Sequence, residues 1–252
     1  MILNTIESGE GPPLALLHGL FGRAGNFGAI QRRLRTRFRV IAIDLRNHGD
    51  SAHAASMDYA AMAEDVLETL RAKAALPAAV VGHSMGGKVA MAAALEAPGA
   101  VSRLVVADIA PARYPPAFTD YIAAMAAVDL RPGLTRAAAD AALAGAVPDP
   151  RVRAFLLQNL TLGDTPAWRI GLREIGAAMP VIEGWEAPPD AVYRGPTTFV
   201  AGARSDYVKP EHRPAIRALF PAARFVTLKG AGHWVHADDP DGFAAVVEAA
   251  AA

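Results

Sequence analysis

A serine between two glycines is the residue of this chain whose surroundings most favour covalent chemistry. Residues 82–86 match the pattern G-x-S-x-G, in which a sharp strand-to-helix turn exposes a nucleophilic serine, here Ser84. Apolar residues 78–81 predict a short strand before the turn, and the alanine-rich residues 88–97 predict a helix after it. A turn that only joins a strand to a helix could have the same five residues, so the rest of the chain must decide.

A serine nucleophile needs a base to take its proton. His233 lies in a loop of small residues, 230–232, directly after the last predicted strand, where an imidazole could reach the turn. The chain order of serine, acid and histidine also suits this role. His236 is a rival three residues later, and we expect it to support the loop.

The carboxylate that would orient the base has two candidates. Asp206 follows the penultimate predicted strand and lies 27 positions before His233. Asp108 follows the preceding strand of the sheet and could reach the same imidazole from a neighbouring strand end. Either aspartate could instead cap a helix or order a loop. The residues alone leave the two candidates equal.

Acyl transfer also needs N–H donors for the developing oxyanion. We expect these from the backbone of Met85, the residue after the nucleophile, and of Leu20, in the loop after the first long strand. Phe21 is the alternative to Leu20. His18 and His48 lie on neighbouring loops, and we expect them to hold those loops by hydrogen bonds.

Several classes of chemistry are disfavoured. The chain has no cysteine, which excludes disulfides and thiolate catalysis. It has no H-E-x-x-H pair, no G-x-G-x-x-G and no P-loop, so we expect neither a metal nor a nucleotide cofactor. Serine at position 84 argues against aspartate-nucleophile reactions such as dehalogenation.

Composition narrows the possible partners. Lys plus Arg and Asp plus Glu are both 25, so the formal net charge is zero, and 52% of residues are hydrophobic. This balance predicts no nucleic-acid partner, no membrane association and a small neutral substrate. Residues 1–10 lack the basic and apolar regions of a secretory signal, so we expect a cytoplasmic protein. We expect either a monomer or a homodimer.

Predicted strands and helices alternate through most of the chain, which predicts a largely parallel sheet with helices on both faces. The predicted strands are 2–6, 14–17, 39–44, 78–81, 101–107, 197–201 and 224–228. The predicted helices of this region are 24–35, 58–75, 88–97, 210–219 and 240–250.

The alternation stops between residues 114 and 190. Here the pattern predicts helices and no strand, at 118–128, 135–144, 150–160 and 168–182. Such an insertion after a sheet strand is typical of a cap over the edge of the sheet. We therefore expect a core of residues 1–113 and 191–252 and a helical cap of residues 114–190.

These residues together resemble the α/β-hydrolase superfamily, and more closely the YbfF-like esterases of bacteria and their mitochondrial counterparts in animals. The matching segments are His18-Gly19-Leu20-Phe21-Gly22, Arg46-Asn47-His48-Gly49-Asp50-Ser51, Gly82-His83-Ser84-Met85-Gly86-Gly87-Lys88, Asp108-Ile109-Ala110-Pro111 and Gly230-Ala231-Gly232-His233-Trp234-Val235-His236-Ala237. The resemblance implies an α/β-hydrolase fold and hydrolysis of short-chain esters and thioesters through an acyl-enzyme. It also implies Asp108 as the acid, although this chain carries a carboxylate at Asp206 that such enzymes often lack.

The function predicted on these grounds is hydrolysis of small to medium acyl esters by Ser84, His233 and one of the two aspartates. The alternatives are a thioesterase, a carbon-carbon bond hydrolase or a perhydrolase with the same residues, or a non-catalytic protein that binds a small molecule. The residues expected to line the substrate pocket are His18, His83, Trp168, Trp185, Tyr207 and Trp234.

Overall fold

Strands and helices alternate along the chain in the computed structural model, which describes residues 1–252. The strands are β1 Thr5–Ser8, β2 Pro13–Leu17, β3 Arg39–Ile43, β4 Ala78–His83, β5 Val101–Ala107, β6 Leu160–Thr161, β7 Ala167–Trp168, β8 Thr197–Gly202 and β9 Ala223–Leu228. The helices are α1 Gly28–Leu34, α2 Tyr59–Ala72, α3 Met85–Glu96, α4 Thr119–Ala126, α5 Arg136–Leu143, α6 Pro150–Leu157, α7 Leu172–Ile182, α8 Arg213–Leu219, α9 Val235–Asp238 and α10 Pro240–Ala251. Short 3₁₀ turns at Ala24–Phe27 and Pro210–His212 precede α1 and α8.

Seven strands form one sheet in the order β1-β3-β2-β4-β5-β8-β9. Strand β1 is antiparallel to β3, and every other pair in this sheet is parallel. The mostly parallel sheet predicted from the sequence is therefore confirmed. Because parallel strands end at a common edge, the loops after β2, β4, β5, β8 and β9 meet there, which is where such sheets bind ligands.

The central strands are buried on both faces. In β2, Ala15 and Leu17 pack into the core on one side of the sheet, while Leu14 and Leu16 pack into the core on the other. All four side chains are fully buried. Each fully buried leucine contributes about 1.5–3 kcal/mol relative to an exposed one. This continuous apolar run is why the sequence predicts the strand without any alternation.

The ends of several elements differ from the prediction. Strand β1 begins at Thr5 and not at residue 2, and its pairing with β3 starts with Thr5 opposite Ile43. By contrast, the helix predicted to open at Asp58 does have Asp58 as its N-cap: the first helical residue is Tyr59, and the Asp58 carboxylate accepts from the Ala61 N–H at 2.8 Å. No helix combines the length and the apolar character that crossing a bilayer requires.

Helices α4 to α7 lie between β5 and β8, as the sequence predicts, but the prediction of no strand there is wrong. Strands β6 and β7 form a small antiparallel hairpin in which Leu160 pairs with Trp168. Helix α7 consequently begins at Leu172 and not at residue 168. Strands of two residues are too short for a period of two to appear in the sequence.

Candidate active site

Ser84 lies between the end of β4 and the start of α3 in a strained backbone conformation. Its φ and ψ are 53° and −122°, outside the region that a non-glycine residue ordinarily adopts. The turn is tight: a Cβ atom on Gly82 would lie 2.1 Å from the carbonyl oxygen of Gly86. A Cβ atom on Gly86 would lie 2.4 Å from the carbonyl oxygen of His18. The two glycines are therefore a steric requirement of the turn that presents Ser84.

His233 is hydrogen bonded to Ser84. The loop after β9 brings its Nε2 atom to 3.0 Å from the Ser84 hydroxyl oxygen. Its Nδ1 atom lies 2.7 Å from Oδ2 of Asp108. The ring of Tyr207 stacks on the imidazole, with 4.0 Å between ring centroids. Serine, imidazole and carboxylate thus form a continuous chain of hydrogen bonds.

Asp108 is fully buried at the end of β5, and donors surround its carboxylate. Its Oδ1 atom accepts from the Gly202 N–H at 2.9 Å. Its Oδ2 atom accepts from the Ser205 hydroxyl as well as from His233. Asp108 has a positive φ of 53°, so the residue that contacts the imidazole is also a strained one.

Asp206, the other candidate acid, has no hydrogen bond to His233. Its neighbours Ser205 and Tyr207 contact Asp108 and His233, whereas the Asp206 side chain between them is exposed. The residues alone left the two aspartates equal, and the hydrogen bond to the imidazole is made by Asp108. Asp108 and Asp206 follow the adjacent strands β5 and β8. Only the conformation of the two loops determines which carboxylate reaches His233.

Two backbone N–H groups beside Ser84 make no hydrogen bond, those of Leu20 and Met85. Met85 is the first residue of α3, and a Cβ atom on Gly19 would lie 3.1 Å from Cβ of Ser84, so both segments abut the serine. The Phe21 N–H, the alternative to Leu20, instead donates to Nε2 of His48 at 3.1 Å. Leu20 and Met85 are thus the free donors.

Comparison with known proteins agrees with this geometry. A family model described as the alpha/beta hydrolase family matches residues 14–246. The chain belongs to the α/β-hydrolase family.

Similar proteins with known names indicate which members of the family this hydrolase resembles. The sn-1-specific diacylglycerol lipase ABHD11 of Mus musculus is 41% identical over 241 residues, which are 92% of this chain and 78% of that protein. Esterase YbfF of Escherichia coli (strain K12) is 39% identical over 230 residues, which are 91% of this chain and 89% of that protein. A solved structure titled Marine microorganism esterase is 35% identical with a TM-score of 0.95, and 99% of each chain is covered. The hydrolase is therefore similar to YbfF-like esterases and is an enzyme of the ester-hydrolysing type.

Two buried histidines fix the loops around Ser84 in this hydrolase. His18 donates from Nδ1 to the Gly19 carbonyl at 2.8 Å and accepts at Nε2 from the Leu45 N–H at 3.0 Å. His48 donates from Nδ1 to the Arg46 carbonyl at 2.9 Å. Burial lowers the pKa of His18 and lowers the pKa of His48 to about 3. Both imidazoles are neutral at pH 7 and act as fixed donors and acceptors.

The imidazoles of His83 and His236 pack beside His233. His83 donates from Nε2 to the His233 carbonyl at 2.8 Å, and burial holds the pKa of His83 well below its ordinary value. The ring of His236 lies 4.6 Å from that of His83, and burial lowers the pKa of His236 to about 4. The hydrogen bond to Ser84 comes from His233 and not from His236.

A cavity of about 510 Å³ opens at Ser84 and His233. Of the residues predicted to line the pocket, His18, His83, Tyr207 and Trp234 border this cavity. Residues of the helical segment complete it, and no sequence signal indicated them because helical periodicity does not show which face turns toward the site. They are Phe118, Tyr121, Asp149, Arg151, Val152, Phe155 and Leu156.

Trp168 and Trp185 do not border this cavity, and their assignment to the pocket is corrected. Trp168 lies in the β6–β7 hairpin, and its indole N–H donates to the Met125 carbonyl at 2.9 Å. Trp185 packs against Tyr59, with 5.9 Å between ring centroids. Both indoles therefore stabilise the packing of the helical segment.

The His, Asp and Glu side chains form no group of three or more that could hold a metal ion.

Proposed function

We propose that the enzyme hydrolyses carboxylic esters with small to medium acyl groups through an acyl-enzyme on Ser84. The observation that carries this proposal is the hydrogen-bonded chain from Ser84 through His233 to the buried Asp108. Relatives named as an esterase and as a diacylglycerol lipase support ester hydrolysis as the reaction.

The first half of the reaction forms the acyl-enzyme. Nε2 of His233 takes the Ser84 hydroxyl proton as the oxygen attacks the ester carbonyl carbon. The negative charge that develops on the carbonyl oxygen is stabilised by the free N–H groups of Leu20 and Met85. The carbon–oxygen bond to the alcohol then breaks, and the alcohol leaves with the proton from His233.

The second half of the reaction releases the acid. Water gives a proton to His233 and attacks the acyl carbon, and the Ser84 oxygen leaves with that proton. Asp108 accepts a hydrogen bond from the Nδ1–H of His233 throughout, which selects the tautomer with a basic Nε2 atom and stabilises the transient imidazolium. Tyr207 covers one face of the imidazole and restricts its rotation.

Residues 114–190 act as the cap of this enzyme in the same proposal. Phe118, Tyr121, Val152 and Phe155 belong to this segment and border the cavity at Ser84. An apolar wall over a nucleophile excludes water from the charges of the transition state. Binding of the ester then depends mainly on apolar contact.

Turnover of p-nitrophenyl esters from acetate to palmitate tests the proposal. We expect steady hydrolysis by the wild type, a fall of about 10⁵-fold or more in kcat for Ser84→Ala, and labelling of the wild type alone by a fluorophosphonate. Ser102→Ala is the matched control, because Ser102 is an exposed serine on β5. Folded wild-type protein with neither turnover nor label would favour the binding protein, and turnover retained in Ser84→Ala would exclude Ser84 as nucleophile.

A further inference from the structure

Ser84 lies between two cavities of very different size. The large cavity, about 510 Å³, is bordered by His233 and Trp234. The small cavity, about 40 Å³, is bordered by Met85 and by side chains from the core and from the helical segment. Ser84, Leu20, Phe118 and Tyr207 border both cavities, whereas His233 borders only the large one.

The position of His233 determines which half of an ester enters which cavity. The attacked carbon carries four groups: the Ser84 oxygen, the oxyanion, the alcohol oxygen and the acyl chain. The oxyanion is held by the N–H groups of Leu20 and Met85, and the alcohol oxygen must lie within reach of the proton on Nε2 of His233. The alcohol therefore lies on the side of the large cavity, and the acyl chain takes the remaining direction.

We propose that the small cavity is the acyl pocket and the large cavity the alcohol pocket. The enzyme thus acts on esters that join an acyl group of two to four carbons to a bulky, mainly apolar alcohol. This assignment rests on the function proposed above. The small cavity has a volume of about 40 Å³. A water molecule needs roughly 10–15 Å³ of cavity volume, so there is room for about three non-hydrogen atoms beyond the carbonyl carbon.

The walls of the small cavity are held in place. Tyr59 donates its hydroxyl hydrogen to the Ile182 carbonyl at 2.5 Å. Lys88 donates from Nζ to the Gly184 carbonyl at 2.6 Å. Ile109 is buried, and its Cγ2 atom lies 2.6 Å from where a Cβ atom of Gly87 would be. A longer acyl chain would have to break these contacts, so the pocket sets an upper limit on acyl length.

The large cavity suits a bulky alcohol. Its volume lies within the range of small-molecule sites, about 300–1,000 Å³. Phe118, Tyr121 and Phe155 give it aromatic walls, and the ion pair of Arg151 with Asp238, 2.9 Å apart, lies among the residues around it. The small cavity on the other side of Ser84, at about 40 Å³, is too small for such an alcohol.

Two substrate series and a matched pair of variants test the assignment. One series varies the acyl chain of p-nitrophenyl esters from acetate to octanoate, and the other varies the alcohol of acetate esters from methyl to 2-naphthyl. Ile109→Ala enlarges the small cavity and Val152→Ala enlarges the large one by a similar truncation of an aliphatic side chain. Ile109→Val is a milder variant that tests the same wall if Ile109→Ala does not fold.

We expect wild-type kcat/KM to fall at least tenfold between butyrate and hexanoate. Ile109→Ala should raise the ratio of hexanoate to acetate turnover about tenfold, and Ile109→Val should raise it less. Val152→Ala should leave that ratio within twofold and change the ratio of 2-naphthyl to methyl acetate.

The reverse pattern would overturn the assignment. If Val152→Ala shifts acyl length and Ile109→Ala shifts alcohol size, with turnover still dependent on Ser84, the two pockets are exchanged while the proposed function stands. A wild-type enzyme that prefers the octanoate ester to the butyrate ester would also show that the small cavity does not hold the acyl chain. Folded enzyme with no ester turnover and no fluorophosphonate label would overturn the proposed function and the assignment together.

Discussion

The Ser205 hydroxyl donates a hydrogen bond to Oδ2 of Asp108, the same oxygen that accepts from the imidazole of His233. Ser205 belongs to the loop after β8, and Asp108 follows β5. The loop that carries the second candidate acid therefore supplies a hydroxyl to the carboxylate that contacts the imidazole. Two neighbouring strand ends contribute to one acid site.

The two aspartates should respond very differently to loss of charge. Asp108→Asn should lower kcat by about 10⁴-fold, because an amide in that place favours the wrong tautomer of His233. Asp206→Asn should change kcat less than twofold, because its side chain is exposed and the hydrogen bond to the imidazole comes from Asp108. Steady-state kinetics of both variants on one ester would check this. Equal losses would contradict the assignment of Asp108.

Ser205 should act as a positioning residue for Asp108. Ser205→Ala removes one hydrogen bond to a charged group, worth about 1.5–3 kcal/mol, while the Gly202 N–H still holds the other carboxylate oxygen. We expect kcat to fall about tenfold with KM unchanged, and Ser205→Thr to restore most of the activity. A loss seen in KM alone would point to a role in substrate binding instead.

The site was predictable from sequence where local sterics determine it. The glycines at 82 and 86 are required by the turn at Ser84, and buried strands such as β2 read as continuous apolar runs. These features predicted the turn at Ser84 and the sheet, and the loop of small residues after the last strand predicted the position of His233.

The choice between Asp108 and Asp206 depends on structural features that a local sequence pattern does not predict. It follows from a positive φ at Asp108 and from the direction of side chains in the loop after β8. The place of Trp168 depends on a hairpin of two-residue strands. Such features depend on tertiary contacts, which override local propensity.

Acid should destabilise the fold through its buried histidines. Burial lowers the pKa of His18, His48, His83 and His236, so between about pH 6.5 and their lowered values the unfolded chain binds more protons than the folded one. Stability is therefore lost as the pH falls below about 6.5. Urea midpoints at pH 7, 6, 5 and 4 should decline steadily.

A pair of histidine variants separates this effect from general acid unfolding. His48→Gln should make the decline less steep, because one of the four groups is removed. His53→Gln is the matched control, since the His53 side chain is exposed. Identical pH dependence in His48→Gln and the wild type would contradict the explanation.

Lys88 should make stability rise above neutral pH. Its side chain is 1% exposed, its Nζ atom donates to backbone carbonyls at the end of α7, and burial lowers its pKa to about 7. In the unfolded chain a lysine keeps its proton to about pH 10.4, so between about pH 7 and 10 the unfolded state binds more protons. The free energy of unfolding should therefore increase over this range, and a neutral amine can still donate to the carbonyl of Gly184.

Comparison with Lys88→Met isolates this contribution. We expect the difference in unfolding free energy between the wild type and Lys88→Met to shift in favour of the wild type between pH 7 and 9, because methionine cannot release a proton. Lys229→Met is the matched control, since the Lys229 side chain is exposed, and it should show no such shift. Parallel pH curves for the wild type and Lys88→Met would mean that Lys88 remains charged in the fold, with the carbonyls at the end of α7 compensating for its burial.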